Sequence, residues 1–155
     1  MQAQAIVSPE PQKRPAKGER RLQILQTLAH MLEQPAGDKI TTAALARQLD
    51  LSEAALYRHF ASKAQMFEGL IEFIENSLLG LLNHIAQSDK NAADKLKHMS
   101  HVLLSFAAKN PGMARVLIGD ALVHEHERLQ LRVTQLLERI HATIKQVLRD
   151  AAAEN

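Results

Sequence analysis

The chain has 155 residues, 46% of them hydrophobic and 23% charged, with a formal net charge of only +2, one Tyr, four Phe, no Trp and no Cys. That length suits one domain or a small module joined to a modest second one, and it buries a core without crosslinks. The missing cysteines exclude a disulfide framework and thiolate metal sites, and no apolar run reaches the length of a signal peptide or a membrane span, as expected of a soluble cytoplasmic protein.

Residues 1–17 read as a disordered basic arm. Lys13, Arg14 and Lys17, followed by Arg20 and Arg21, stand among Pro9, Pro11, Pro15 and Gly18. Beyond Gly18 the pattern is helical throughout, and no run alternates apolar and polar residues as a strand would. Leu25, Leu28, Ala29 and Leu32 give a first helix, closed by Pro35 and Gly37. A short second helix, TTAALARQL, starts at an N-cap on Thr41 or Thr42. A tight connection at Asp50 and Leu51 leads to a third helix capped by Ser52. Ser62 caps a long fourth helix with Phe67, Leu70, Ile71, Ile74, Leu78, Leu81, Leu82 and Ile85 in one stripe. A fifth runs over 92–108 and is broken by Asn110-Pro111-Gly112. A short sixth follows, then a last long helix over about 124–150 with apolar residues at 129, 133, 136, 137, 140, 144, 147 and 148. The fold class is all-α: a three-helix helix-turn-helix unit over 18–63, followed by a helical bundle over 64–155 that serves as a regulatory or dimerisation domain.

The second and third helices carry the chemistry. Ala43, Leu45, Ala46 and Leu49 pair with Leu51, Ala55, Leu56 and Phe60 on the inward face, which turns Ser52, Glu53, Ala54, Tyr57, Arg58 and His59 outward. A helix so presented fits the major groove of B-form DNA, with hydroxyl, amine and backbone N–H groups at helix starts suited to phosphates. The same spacing also fits a generic helical corner whose polar residues face water.

The stretch ITTAALARQLDLSEAALYRHFASKAQMFEGLI resembles the DNA-binding domain of the TetR family of bacterial regulators. Leu56, Tyr57, His59, Phe60 and Lys63 match that family's LYxHFxxK signature position by position. The resemblance implies DNA contacts at Thr41, Thr42, Ser52, Glu53, Ala54, Tyr57, His59 and Lys63, with Arg58 beside them. A longer resemblance over 18–150, carried by SEAALYRHFASKAQMFEGLIEFIENSL, the NPG turn and RLQLRVTQLLERI, is to the nucleoid-occlusion branch of that family. It implies palindromic double-stranded DNA and the tubulin-like division GTPase FtsZ as partners. The partner-facing surface would then involve the fourth and fifth helices, making Phe73, Lys109 and Asn110 candidate contacts. Phe73 equally fits a place packed under the fifth helix. The family implies a homodimer. Because the chain ends at AAAEN, where relatives continue with further helices, a weak dimer is expected.

The remaining features point to no cofactor. His98 and His101, and His124 and His126, are expected to be exposed or capping residues rather than metal ligands, since a site needs three or four ligands in closed geometry. No Gly-rich phosphate loop and no nucleophilic constellation is present, so no enzyme is expected. The Leu- and Ile-rich later helices read as a dry core rather than an effector pocket. Two alternatives stay open: a ligand-responsive transcriptional repressor, and a helical adaptor that does not bind DNA.

Overall fold

The computed structural model describes residues 16–34 and 39–153; the basic arm up to residue 15, and the helix-closing Pro35 and Gly37, lie outside them, whereas Lys17, expected to end the arm, opens the first helix. Seven α-helices follow in order: α1 Lys17–Met31, α2 Thr42–Gln48, α3 Glu53–Tyr57, α4 Lys63–Ala86, α5 Ala92–Lys109, α6 Pro111–Leu117 and α7 Arg128–Ala153. A short 3-10 turn, η1, spans Asp120–Leu122 between the last two. No strand occurs among the described residues.

Short polar side chains start the helices as the sequence leads one to expect. The Thr41 hydroxyl accepts from the Ala44 N–H, Ser52 from Ala55, Ser62 from Gln65, and Asn91 from Asp94. Each removes one of the unpaired donors of a helix start, worth about 1 kcal/mol. Asp50 takes a left-handed φ of 52° to turn α2 into α3, and the Leu51 N–H closes the corner on the Ala46 carbonyl at 2.9 Å. Pro111, which lacks an N–H, sits at the first turn of α6, where that donor would have no partner.

Ile24 and Leu28 of α1, Leu45 and Ala46 of α2, Leu56 of α3 and Phe60 after it form the core of the small unit, each at most 2% exposed. Complete burial of one such aliphatic side chain contributes roughly 1.5–3 kcal/mol. The long α4 is the axis that joins this unit to the rest. Met66, Phe67, Leu70, Ile71, Ile74, Leu78 and Leu82 of α4 are all buried, and α4 packs on α1 at one end and along α5 and α7. The helix α6 returns to α1. A methyl placed on Gly112 would lie 1.9 Å from the Ala29 carbonyl oxygen, so only glycine permits this approach.

Several expected placements shift. Ala43 is exposed rather than facing α3. Leu81 is 53% exposed, and Leu79 takes the buried place beside Leu78. The stripe of α7 is narrower than the sequence pattern: Leu129, Val133, Leu136, Ile140 and Val147 are buried, Ile144 is half-buried, and Leu137 and Leu148 are exposed. The helix itself begins at Arg128, so residues 124–127 belong to the turn before it.

Candidate nucleic-acid interface

The third helix is only five residues long, and its outer edge carries Glu53, Ala54 and Tyr57, all exposed, with Ser52 at the cap. Arg58 closes the helix and His59 lies beyond it. Arg58 is exposed, whereas His59 is half-buried. The Arg21 guanidinium donates to the His59 carbonyl and lies 4.1 Å from the centre of the Phe60 ring. One α1 arginine therefore ties down the segment between α3 and α4 by a charge-assisted hydrogen bond and a cation–π contact.

Three of the sequence-derived residues meet in one network. The Thr42 hydroxyl donates to Glu53 Oε2 at 2.8 Å, and the Tyr57 phenol donates to Thr42 Oγ1 at 3.3 Å. Thr41 is the N-cap of α2 and Ser52 that of α3, so their oxygens already accept from backbone N–H groups. Lys63, the first residue of α4, points elsewhere: its Nζ lies 2.6 Å from Glu125 Oε1, and only 22% and 11% of the two side chains is exposed. Lys63 also lies 5.9 Å from the centre of the Phe67 ring.

That pair opens a line of charge between α4 and α7. Arg128 pairs with Glu68 at 2.9 Å, and further along Glu75 accepts from both Arg132 and Arg139. Glu75 is 5% exposed, a buried carboxylate on α4. The Arg132 hydrogen bond holds its carboxyl below the ordinary carboxylate value against the opposing cost of burial, with Arg139 adding to the effect.

Of the candidate partner contacts, Phe73 is half-buried against the core, Lys109 is exposed at the end of α5, and the Asn110 amide donates to the Phe106 carbonyl at 2.9 Å. Three of those histidines have local partners: His98 Nδ1 lies 3.3 Å from Lys90 Nζ, His101 Nε2 lies 3.3 Å from the Ser105 hydroxyl, and His126 Nδ1 accepts from the Arg128 N–H.

Arg21, Glu125 and Arg115 carry no motif. Arg115 donates to the Leu32 carbonyl at 2.8 Å and the Gln34 carbonyl at 3.2 Å, capping the end of α1 from α6, and pairs with Asp120 at 3.0 Å. A cleft of about 670 Å³ opens beside it, with Met31, Ile40, Phe67 and Asp120 among its walls.

Two family models each match a separate part of the chain. A family model described as bacterial regulatory proteins, tetR family, matches residues 24–70, and a SlmA-like one described as tetracyclin repressor-like, C-terminal domain, matches 90–155. The chain is 56% identical over 135 residues to the nucleoid occlusion factor SlmA of Marinomonas sp. (strain MWYL1), covering 87% of this chain and 68% of that protein. It is 53% identical over 134 residues to SlmA of Alteromonas mediterranea, covering 86% and 69%. To SlmA of Vibrio cholerae serotype O1 it is 53% identical over 132 residues, covering 84% and 67%. A crystal structure of a putative tetR family transcription regulator from Shewanella sp. PV-4 superposes with a TM-score of 0.65 at 20% identity, over 90% of this chain and 72% of that one, which shows a shared fold.

Proposed function

This chain belongs to the TetR family of bacterial regulatory proteins, and from that premise we propose how it works as a nucleoid occlusion factor. It binds palindromic double-stranded DNA through α2 and α3 and, so bound, blocks assembly of the division GTPase FtsZ over the chromosome. The observation that carries the DNA-binding part is the exposed edge of α3, where Ser52, Glu53, Ala54 and Tyr57 stand clear on a helix braced from α2. A helix so held enters the major groove with the side chains of its first turn toward the bases. Thr41, Arg58 and His59 flank that edge as phosphate contacts, and Lys63 joins them once a phosphate takes it from Glu125; such contacts set position rather than sequence preference.

The nucleoid-occlusion part rests on the relatives' identity and co-linearity across both units. Residues 18–63 form the DNA-binding unit and 64–155 the regulatory and dimerisation unit. Phe73, Lys109 and Asn110 mark the partner surface on α4 and α5. The protein acts in the cytoplasm on the nucleoid, as a homodimer matched to a two-fold site. The test is co-sedimentation with FtsZ polymers, with and without cognate DNA. DNA-dependent loss of polymer together with co-pelleting is the expected result. Tight cognate binding with no effect on FtsZ would leave a ligand-responsive repressor, a reading favoured by the cleft beside Arg115.

A further inference from the structure

A carboxylate is an awkward group to bring against DNA. Glu53 stands exposed at the first position of α3, and every nearby phosphate repels it. Such a group is tolerated in the major groove only opposite a hydrogen-bond donor. Guanine N7 and O6 and thymine O4 are acceptors, which leaves the exocyclic amines, cytosine N4 foremost among them as a partner for carboxylates.

The surroundings of Glu53 are built to hold it in place. Thr42 carries one hydroxyl proton, and it goes to Glu53 Oε2 at 2.8 Å, so Thr42 Oγ1 faces Tyr57 only as an acceptor. The Tyr57 phenol supplies the proton for that second bond at 3.3 Å. The relay therefore runs in one direction, from Tyr57 through Thr42 to Glu53, and each bond polarises the next. It consumes the donor protons of two residues that would otherwise suit phosphates, and it leaves Glu53 Oε1 for a donor from outside the chain.

We propose that Glu53 reads the N4 amine of a cytosine in the major groove, and that Thr42 and Tyr57 are positioning residues that aim its carboxylate. This rests on the DNA-binding reading above and adds the base chemistry that the site selects. Arginine or lysine at position 53 would seek guanine; a fixed carboxylate rejects guanine and thymine.

The experiment uses duplexes that the full chain selects from a random-sequence pool. Each cytosine is replaced in turn by 2-pyrimidinone, which lacks only the N4 amine, and affinities are measured for the wild type, Glu53→Ala, Thr42→Val and Thr42→Ser. At one cytosine in each half-site, amine removal should weaken wild-type binding about fivefold to tenfold. The same removal should be nearly silent in Glu53→Ala, which separates the contact from any change in duplex pairing. The penalty should shrink in Thr42→Val and return in Thr42→Ser, a pattern that a purely structural role for Thr42 does not produce. Equal penalties in wild type and Glu53→Ala at every cytosine would overturn the inference while leaving sequence-specific binding intact. A pool that yields no preferred sequence would overturn both.

Discussion

Lys63 Nζ lies 2.6 Å from Glu125 Oε1, so the lysine that opens α4 is held by a carboxylate from the turn before α7. A phosphate that recruits Lys63 has to take it from Glu125. Glu125→Gln should therefore raise affinity for DNA of any sequence by a few fold, and Lys63→Ala should lower it and flatten the log–log salt slope by about 0.9. The control is Glu127→Gln, the same charge change two residues away on an exposed side chain. Equal gains from the two glutamine variants would show a general charge effect and remove Lys63 from the phosphate set.

Phe60 is 2% exposed, with Arg21 stacked on its ring and Leu56 and Leu45 in the same buried cluster. Truncation to alanine leaves a cavity and releases the arginine that grips the His59 carbonyl. Phe60→Ala should cost about 3–5 kcal/mol, measured by chemical denaturation. A denaturation midpoint equal to that of the parent would contradict this placement of Phe60.

Gly112 is where α6 meets α1. An added methyl would overlap the Ala29 carbonyl oxygen at 1.9 Å, and backbone cannot swing aside as the tip of a side chain can. Gly112→Ala should destabilise the fold by about 3 kcal/mol or more, the upper range for overpacking. The lesion should also weaken the Arg115 cap on Leu32 and Gln34, which depends on the same close approach. A thermal midpoint within a degree of wild type would mean that the two helices separate without cost.

Periodicity and capping chemistry made most of the helices legible, because Thr41, Ser52 and Ser62 act within three residues of their own position. The inward setting of Leu56 and Phe60 was legible for the same local reason. Exposure within long helices was not. The stripe rule cannot say how wide a face its neighbours cover, and so it sets Leu81, Leu137 and Leu148 inward, whereas they are open. Long-range ion pairing left no sequence signal either: Glu75 and Arg132 are 57 residues apart, and Lys63 and Glu125 are 62 apart. The sequence presents Thr42, Glu53 and Tyr57 as separate candidate DNA contacts, whereas the structure links them by hydrogen bonds across 11 and 15 residues.

Glu75 gives a prediction in pH. Its carboxylate is buried on α4 and accepts from Arg132 and Arg139 of α7, with the Arg132 bond the larger reason that its folded-state pKa lies below the ordinary 4.5. A folded-state value below the unfolded one means that the stabilisation is fully present above pH 4.5 and is lost as pH falls through the lowered value. Glu75→Gln keeps the shape but removes the charge, leaving Arg132 without its buried counter-ion. Arg139 is 63% exposed and turns to water at little cost, so the loss falls mainly on the Arg132 pair. Near neutral pH the variant should be less stable by about 1–3 kcal/mol, below the full range for breaking a buried pair because Arg132 is itself 32% exposed. Paired denaturation curves at a series of pH values provide the measurement. The gap between wild type and variant should hold steady from neutral pH down to about 4.5 and then close, because only the wild type has a carboxylate to protonate there. A gap that widens in acid would mean that the unfolded chain, not the fold, holds the charged form of Glu75 more strongly.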